Sequence, residues 1–480
     1  MPPVAIALAV NGDKRYVTIK KSPDKNIIMQ VQQFEDKNLA QYSYAILSEC
    51  EKKIILIDPS RNPKPYLDYA AENEALITGV IETHPHADFV SSHLELHETT
   101  GAKIYCSGIT GASYPHEYFD EARHIQLGKI KLSALNTPGH SPDSICIVLE
   151  HAGLQKAVFT GDALFIGDCG RPDLRPGEGD AKDAAIKLAK QMYHSLRDKL
   201  LSLPGDAIVY PAHGAGTLCG KALSEANSST IGEEREKNWS LQPQTADAFL
   251  KELLADQPVV PAYFSYDVNL NKHGASSFAA GINSVKIGTT ITTDEEAGRL
   301  NKESWVIDSR DEKHYKAGHL KQSVNIMKGL KFNTWLGSLV KPGEKIYFAA
   351  ADNESLHEMI EQAAAIGYES QVLEGFIINH GEIMEDRIDL QAFADHPERY
   401  TIIDVRNEPE MEEKKIFENS LLFPLGELRD RIEEIPTSKP IVVHCASGFR
   451  SAVGSSLIHS TLNGAVRVYD LGDAVKEFMQ

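Results

Sequence analysis

Short apolar runs, each ended by Gly, Pro, Asp or His, set the pattern along the first half of the chain. Ala45–Leu47 and Lys53–Ile57 read as a strand pair, and Pro65–Asn73 reads as the start of a helix. Gly79–Glu82 reads as a buried strand end, and Val90–Leu96 as a helix. Asn136–Ser144 is a Pro/Gly turn between two apolar runs. Val158–Phe159 runs into Thr160-Gly161-Asp162, and Ile208–Pro211 runs into Ala212-His213. In the second half one pattern occurs twice. Trp305-Val306-Ile307-Asp308-Ser309-Arg310 matches Thr401-Ile402-Ile403-Asp404-Val405-Arg406, and Lys345–Ala350 matches Pro440–Cys445. Asp308 to Ala350 is 42 residues and Asp404 to Cys445 is 41, so the two copies share one spacing. Strands alternating with helices predict an α/β protein whose second half is a repeated small α/β domain.

The polar residues that end the first-half runs carry the chemistry. Thr83-His84-Pro85-His86-Ala87-Asp88-Phe89 packs two histidines and an aspartate into a strand-to-helix turn, where they can converge on one point. An isolated HxH is more often a turn whose histidines bond to backbone. Here His140, Asp162 and His213 follow, each where a strand meets a loop, the usual place for chemistry on an α/β scaffold. Four strand ends repeating one design point to a metal centre.

HxHxD, then PGH, TGD and PAH, is the order of the metallo-β-lactamase superfamily, which this chain resembles. The resemblance implies an αββα sandwich over residues 27–245. Many two-metal members have a histidine after the aspartate, where this chain has Phe89. An apolar ring cannot ligate, so one metal site is expected. In the persulfide dioxygenase branch the matching residues His84, His140 and Asp162 hold a mononuclear Fe(II). Two imidazoles and one carboxylate also form the donor set of a non-haem Fe(II) oxygenase. His86, Asp88 and His213 are then expected to orient ligands or a bound water, with His86 also open as a ligand. Asp168-Cys169-Gly170-Arg171-Pro172-Asp173 resembles the GCGRxD stretch of that branch. Arg171 can bind a substrate carboxylate or brace the loop through Asp173, and Cys169 reads as a small buried thiol.

The last copy of the repeat carries Cys445-Ala446-Ser447-Gly448-Phe449-Arg450 between a Val/Ile strand and a helix. Backbone N–H groups of such a loop and the helix end stabilise a thiolate or a persulfide sulfur, and Arg450 adds a cation. Cys445 and Arg450 are the catalytic candidates here. The segment resembles the rhodanese sulfurtransferases, over residues 385–480. Residues 258–378 resemble the same fold with Ala350 in place of the cysteine, and so read as an inactive copy. Tyr263–Asn271 reads as a tie to the first domain.

At 480 residues the chain exceeds one ordinary core. A formal charge of -19 argues against nucleic acid and against an anionic membrane surface. No stretch approaches the ~18–20 apolar residues of a spanning helix. Met1–Val10 is apolar but lacks a basic start, and reads as a first strand or an extension rather than a signal peptide. Six cysteines without CxxC spacing suit a reducing, cytoplasmic location.

The order dioxygenase, inactive rhodanese, active rhodanese resembles the persulfide dioxygenase–rhodanese fusions. It implies oxidation of a low-molecular-weight persulfide by O2 to thiol and sulfite, with sulfur passed between persulfide and sulfite or thiosulfate at Cys445. Glutathione, coenzyme A and bacillithiol persulfides stay open as substrates, and so does a homo-oligomer. Two rival readings are a glyoxalase II-like thioester hydrolase and a sulfur-handling rhodanese protein with a structural metal. Phe89 counts against the first, since that chemistry commonly uses two metals. Three ligands with an open position count against the second.

Overall fold

The computed structural model describes residues 8–11, 14–17, 29–174, 180–221, 223–255, 257 and 259–479. The reading of Met1–Val10 as a first strand lies mostly outside these residues, although Leu8–Asn11 is a strand. Pro258, where the second expected domain begins, is also outside them. The chain divides into two compact units. One gathers Met1–Gln257 with Phe264–Phe278, and the other gathers Pro258–Tyr263 with Ala279–Gln480.

In the first unit, alternation along the strands builds two sheets back to back. The first sheet has eight strands in sequence order, from Leu8–Asn11 to Glu117–Tyr118. The second has six, running from Ser229–Thr230 through Ile208–Pro211, Leu154–Gly161, Ile145–His151 and Ile130–Asn136 to His124–Leu127. Tyr44, Ile46, Ile55 and Ile57 of one sheet meet Ile145, Ile147, Leu149 and Phe159 of the other in one core. Their sequence neighbours face outward, as a period of two requires. Ala45, Leu47, Ile54 and Leu56 pack with Tyr66, Tyr69 and Leu96, from the helices Lys64–Glu72 and His93–Thr100. Cys146, Val148, Val158 and Val209 pack with Met192 and Phe249, from the helices Ala181–His194 and Ala246–Leu254. At about 1.5–3 kcal/mol for each large apolar side chain buried, these three layers dominate the folding free energy. The result is the αββα sandwich that the resemblance implies.

The helix expected from Val90 begins at His93 instead. Ser91 is held outside it by a backbone hydrogen bond to the Asn271 side chain at 2.8 Å, and its own hydroxyl accepts from the His93 N–H. Asn271 lies on the helix Phe264–His273, which belongs to this unit although it follows the sandwich in sequence.

The second unit contains the repeat as two parallel four-stranded sheets of one topology. In the first, Trp305–Asp308 lies between Ser323–Asn325 and Ile346–Ala350, with Val372–Ile377 outermost. In the second, Thr401–Asp404 lies between Leu421–Leu422 and Ile441–His444, with Val468–Asp470 outermost. The matched Asp-x-Arg elements close the same way in both. Arg310 donates from Nη2 to Asp308 Oδ2 at 2.6 Å, and Arg406 to Asp404 Oδ2 at 2.6 Å. Each guanidinium also caps a downstream carbonyl, of Gly318 in one copy and Lys414 in the other. These are the two small α/β domains that the rhodanese resemblance implies. No helix among the described residues is long and apolar enough to cross a membrane.

Candidate metal centre and sulfur-transfer loop

Five strands of the sandwich end at one place and deliver Asp58, Thr83-His84, His140, Asp162 and His213 to it. His84, His140 and Asp162 are each about 1% exposed, and their ligand atoms lie within 4.8 Å of one another. His140 Nε2 is 3.4 Å from Asp162 Oδ2, and His84 Nε2 is 3.8 Å from the same oxygen.

The remaining ring nitrogens set the tautomers. His140 Nδ1 is 2.9 Å from the carbonyl oxygen of Arg171. A carbonyl only accepts, so Nδ1 carries the proton and Nε2 keeps its lone pair. Thr83 donates its hydroxyl hydrogen to Asp58 Oδ2 at 2.8 Å, which leaves its oxygen to accept from His84 Nδ1 at 3.1 Å. Both imidazoles therefore turn a lone pair toward Asp162. Asp162 Oδ2 is buried and has no hydrogen-bond partner among the described residues. A buried carboxylate oxygen facing two imidazole lone pairs is a repulsive arrangement unless a cation sits among them. The donor set fits one metal ion with open positions.

Asp162 Oδ1 accepts from His213 Nδ1 at 2.8 Å, and His213 Nε2 lies 2.8 Å from Asp88 Oδ2. Burial alone would strip the proton from His213, but Asp162 and Asp88 outweigh it and hold its pKa well above the usual histidine range. The expected trio of His86, Asp88 and His213 thus separates. Asp88 and His213 form a line to Asp162. His86 faces Asp58 at 3.2 Å and packs against Phe89, with centroids 4.3 Å apart and planes tilted by 32°. Phe89, 1% exposed, packs at the position where the resemblance implies a histidine in two-metal members.

Arg171 is 1% exposed and forks onto Asp173, with Nε to Oδ1 at 2.7 Å and Nη2 to Oδ2 at 2.5 Å. Of the two expectations for Arg171, this is the bracing arrangement. The loop comes so close to the centre that a Cβ on Gly170 would collide with the Asp162 carbonyl and crowd His140 Nδ1. Cys169 is buried, as expected, and burial pushes its thiol well above the usual range.

Several contributors were not among the expected site residues. Asp58 follows an apolar strand as the ligands do, and that shared pattern was the available signal. It accepts from the Thr83 N–H at 2.7 Å as well as from the hydroxyl. Asn271 donates to the carbonyls of His86 at 2.8 Å and Phe89 at 2.7 Å, clamping the histidine turn. A lone asparagine in a helix offers no signal for this.

In the second unit, Cys445 ends the strand Ile441–His444 and is fully buried. The Gly448 N–H donates to its sulfur at 3.1 Å, as expected of a loop that cradles negative charge. Gly448 has φ +96°, and a Cβ there would press on the backbone of Gly472 and Asp473. The helix Phe449–Leu462 starts directly after it. Arg450 does not stand free over the loop, because both its terminal nitrogens pair with Glu410 at 2.6 and 2.7 Å. In the other copy Ala350 occupies the strand end, and Asp352 caps the next helix by accepting from the Ser355 N–H at 2.8 Å.

Comparison with known proteins agrees with both halves. Residues 38–213 match the metallo-β-lactamase superfamily, and residues 292–377 and 389–479 match the rhodanese-like domain. The chain is 31% identical over 215 residues to the mitochondrial persulfide dioxygenase of Mus musculus, covering 43% of this chain and 73% of that one. A hydroxyacylglutathione hydrolase of Hahella chejuensis is 32% identical over 216 residues, covering 43% and 77%. A crystal structure of a metallo-β-lactamase from Staphylococcus aureus has a TM-score of 0.64 at 29% identity, covering 73% of this chain and 98% of that one. The chain belongs to the metallo-β-lactamase superfamily, as a fusion of a domain homologous to the persulfide dioxygenases with two rhodanese-like domains.

Proposed function

We propose that this protein is a persulfide dioxygenase with a sulfurtransferase domain on the same chain. The observation that carries the reading is the buried set of His84, His140 and Asp162, beside Phe89 in place of a further ligand. These three residues would hold one Fe(II), which supplies open positions for a persulfide sulfur and O2. The overall change is persulfide plus O2 plus water to thiol plus sulfurous acid, balanced in sulfur, oxygen and hydrogen.

The chain's own groups prepare that chemistry. The Arg171 carbonyl and Thr83 hold two imidazoles in the ligating tautomer. His213 orients the Asp162 carboxylate, and Asp88 keeps His213 protonated. Arg171 and Asp173 hold the loop that carries the carbonyl.

At Cys445 the thiolate attacks the outer sulfur of a second persulfide. Its S–S bond breaks, the thiol leaves, and a Cys445 persulfide forms. Sulfite then takes the outer sulfur, giving thiosulfate and regenerating the thiolate. The Gly448 N–H stabilises negative charge on Cys445. Arg450, buttressed by Glu410, keeps a fixed cation at the helix start.

Thioester hydrolysis is the rival, since a hydroxyacylglutathione hydrolase is as similar as the dioxygenase. Phe89 favours the dioxygenase, because a metal-bound hydroxide shared by two ions would need a ligand where this ring packs. The deciding experiment adds glutathione persulfide to anaerobically iron-loaded protein and follows O2, sulfite and thiosulfate, beside Cys445→Ser. Rapid O2 uptake by both, with enzymatic thiosulfate from the parent alone, is expected. No O2 uptake with any low-molecular-weight persulfide, together with turnover of a hydroxyacylglutathione thioester, would overturn the proposal.

A further inference from the structure

A second cluster of metal-ligating side chains lies in the other unit, where the sulfur chemistry does not use it. His319 follows the helix Glu312–Ala317 of the first rhodanese-like copy, and Glu385 lies on the connector to the second. His459 lies on the helix Phe449–Leu462 of the second copy. We propose that His319, Glu385 and His459 form a binding site for a divalent transition metal of the zinc type, fastening the two rhodanese-like domains together.

The geometry carries it. One ligand atom from each residue lies within 4.8 Å of the other two. Glu385 Oε1 is 3.7 Å from His319 Nε2 and 3.9 Å from His459 Nδ1. Ligand atoms bound to zinc at about 2.0–2.1 Å in a tetrahedron stand roughly 3.3–3.4 Å apart, so Glu385 is already near the required spacing from both rings, and side-chain rotation would bring the rings in around an ion.

The cluster is also built for it electronically. His319 Nδ1 donates to the Leu320 carbonyl at 3.0 Å, so Nε2 carries a lone pair. The ring lies flat on Tyr315, with centroids 4.1 Å apart and planes at 4°, which fixes the direction of that lone pair. His319 Nε2 and Glu385 Oε1 are both buried without a hydrogen-bond partner among the described residues. Burial pushes His319 down to about 4 and lowers His459, so both rings are neutral ligands near pH 7. Burial also pushes Glu385 up to about 7, against the neighbouring Lys316. That ammonium is occupied elsewhere, 2.7 Å from Asp470 and 3.4 Å from Glu312. A metal cation between His319 Nε2 and Glu385 Oε1 would satisfy both atoms. His459 also lines a surface cavity of about 340 Å³, so the edge of the cluster borders solvent. Two imidazoles and a carboxylate suit zinc and its first-row neighbours over magnesium or calcium, which take oxygen ligands.

The test is equilibrium dialysis of chelator-stripped full-length protein against Zn2+, with bound zinc counted per chain. The His459→Ala variant is expected to bind one zinc fewer than the parent. Its ring is 24% exposed, so its removal leaves a solvated surface rather than a buried hole. Glu385→Gln is expected to weaken the same zinc at least tenfold. Zinc should raise the thermal unfolding temperature of the parent more than that of His459→Ala. O2 uptake by the iron-loaded His459→Ala protein should match the parent, which separates this site from the dioxygenase centre. An equal zinc count in parent and His459→Ala would overturn the proposal.

Discussion

The imidazole of His140 is held through the backbone of Arg171, not through its side chain, with Nδ1 2.9 Å from the carbonyl oxygen. The guanidinium acts one step further out, by fixing the loop to Asp173. Arg171→Met should therefore lower metal affinity about 10- to 100-fold, the usual cost of losing an outer support, without removing the acceptor itself. Asp173→Asn should move affinity in the same direction. Metal content after dialysis against a graded chelator measures both. If Arg171 instead binds a substrate carboxylate, Arg171→Met raises KM at full metal content and Asp173→Asn does little.

Asn271 donates to two carbonyls of the histidine turn and accepts from the Ser91 N–H, all in a buried setting. Asn271→Ala leaves three polar backbone groups without partners. At about 1–3 kcal/mol for each unmet group, less whatever water recovers, a loss of roughly 3 kcal/mol is expected. Hydrogen exchange at Phe89–His93 should rise in this variant before the rest of the unit responds. Unchanged exchange there would show that the turn holds without the clamp.

Asp308 and Asp404 are fully buried and each takes its hydrogen bonds from the arginine two residues on, with His444 a further 3.8 Å neighbour of Asp404. Arg310→Met and Arg406→Met should each cost about 3–5 kcal/mol, because a buried carboxylate is left uncompensated. The costs should be alike although only one copy carries a cysteine. Pairing each change with Asp308→Asn or Asp404→Asn should recover part of the loss in denaturant unfolding. A large cost at Arg406 alone would mean that the copies no longer share a structural device.

The three metal candidates were legible because each ends an apolar strand, and strand ends of a sandwich converge whatever the intervening loops do. The repeat was legible for a similar reason, since Asp308–Arg310 and Asp404–Arg406 bond locally and leave a short, regular trace. Contacts made across the fold leave none. Asn271 meets His86 from 185 residues away, and Arg450 meets Glu410 from 40. Arg171 shows the limit between these cases. Asp173 beside it made bracing readable, but only burial distinguishes a committed guanidinium from one waiting for substrate. His319, Glu385 and His459 come from three segments with no common pattern, so their cluster has no counterpart in the linear order.

Glu385 should make stability depend on pH in chelator-treated protein. Its folded pKa, about 7, lies above the ordinary glutamate value of 4.5, because burial outweighs Lys316 while Asp470 and Glu312 add repulsion. His319 and His459 face the same carboxyl; burial brings His319 down to about 4, so it stays neutral in this range, and burial lowers His459 as well. A raised carboxyl pKa means that the folded state holds a proton the unfolded chain has released. The contribution is complete below pH 4.5 and is lost as pH rises through about 7. The full difference is on the order of 3 kcal/mol. Unfolding measured at intervals from pH 5 to 8 should show the parent losing stability relative to Glu385→Gln, whose amide cannot titrate. Because a bound metal takes the place of that proton, zinc should flatten the parent's dependence and leave that of Glu385→Gln nearly unchanged. Parallel pH curves for the two proteins without metal would mean that Glu385 is already ionised in the fold.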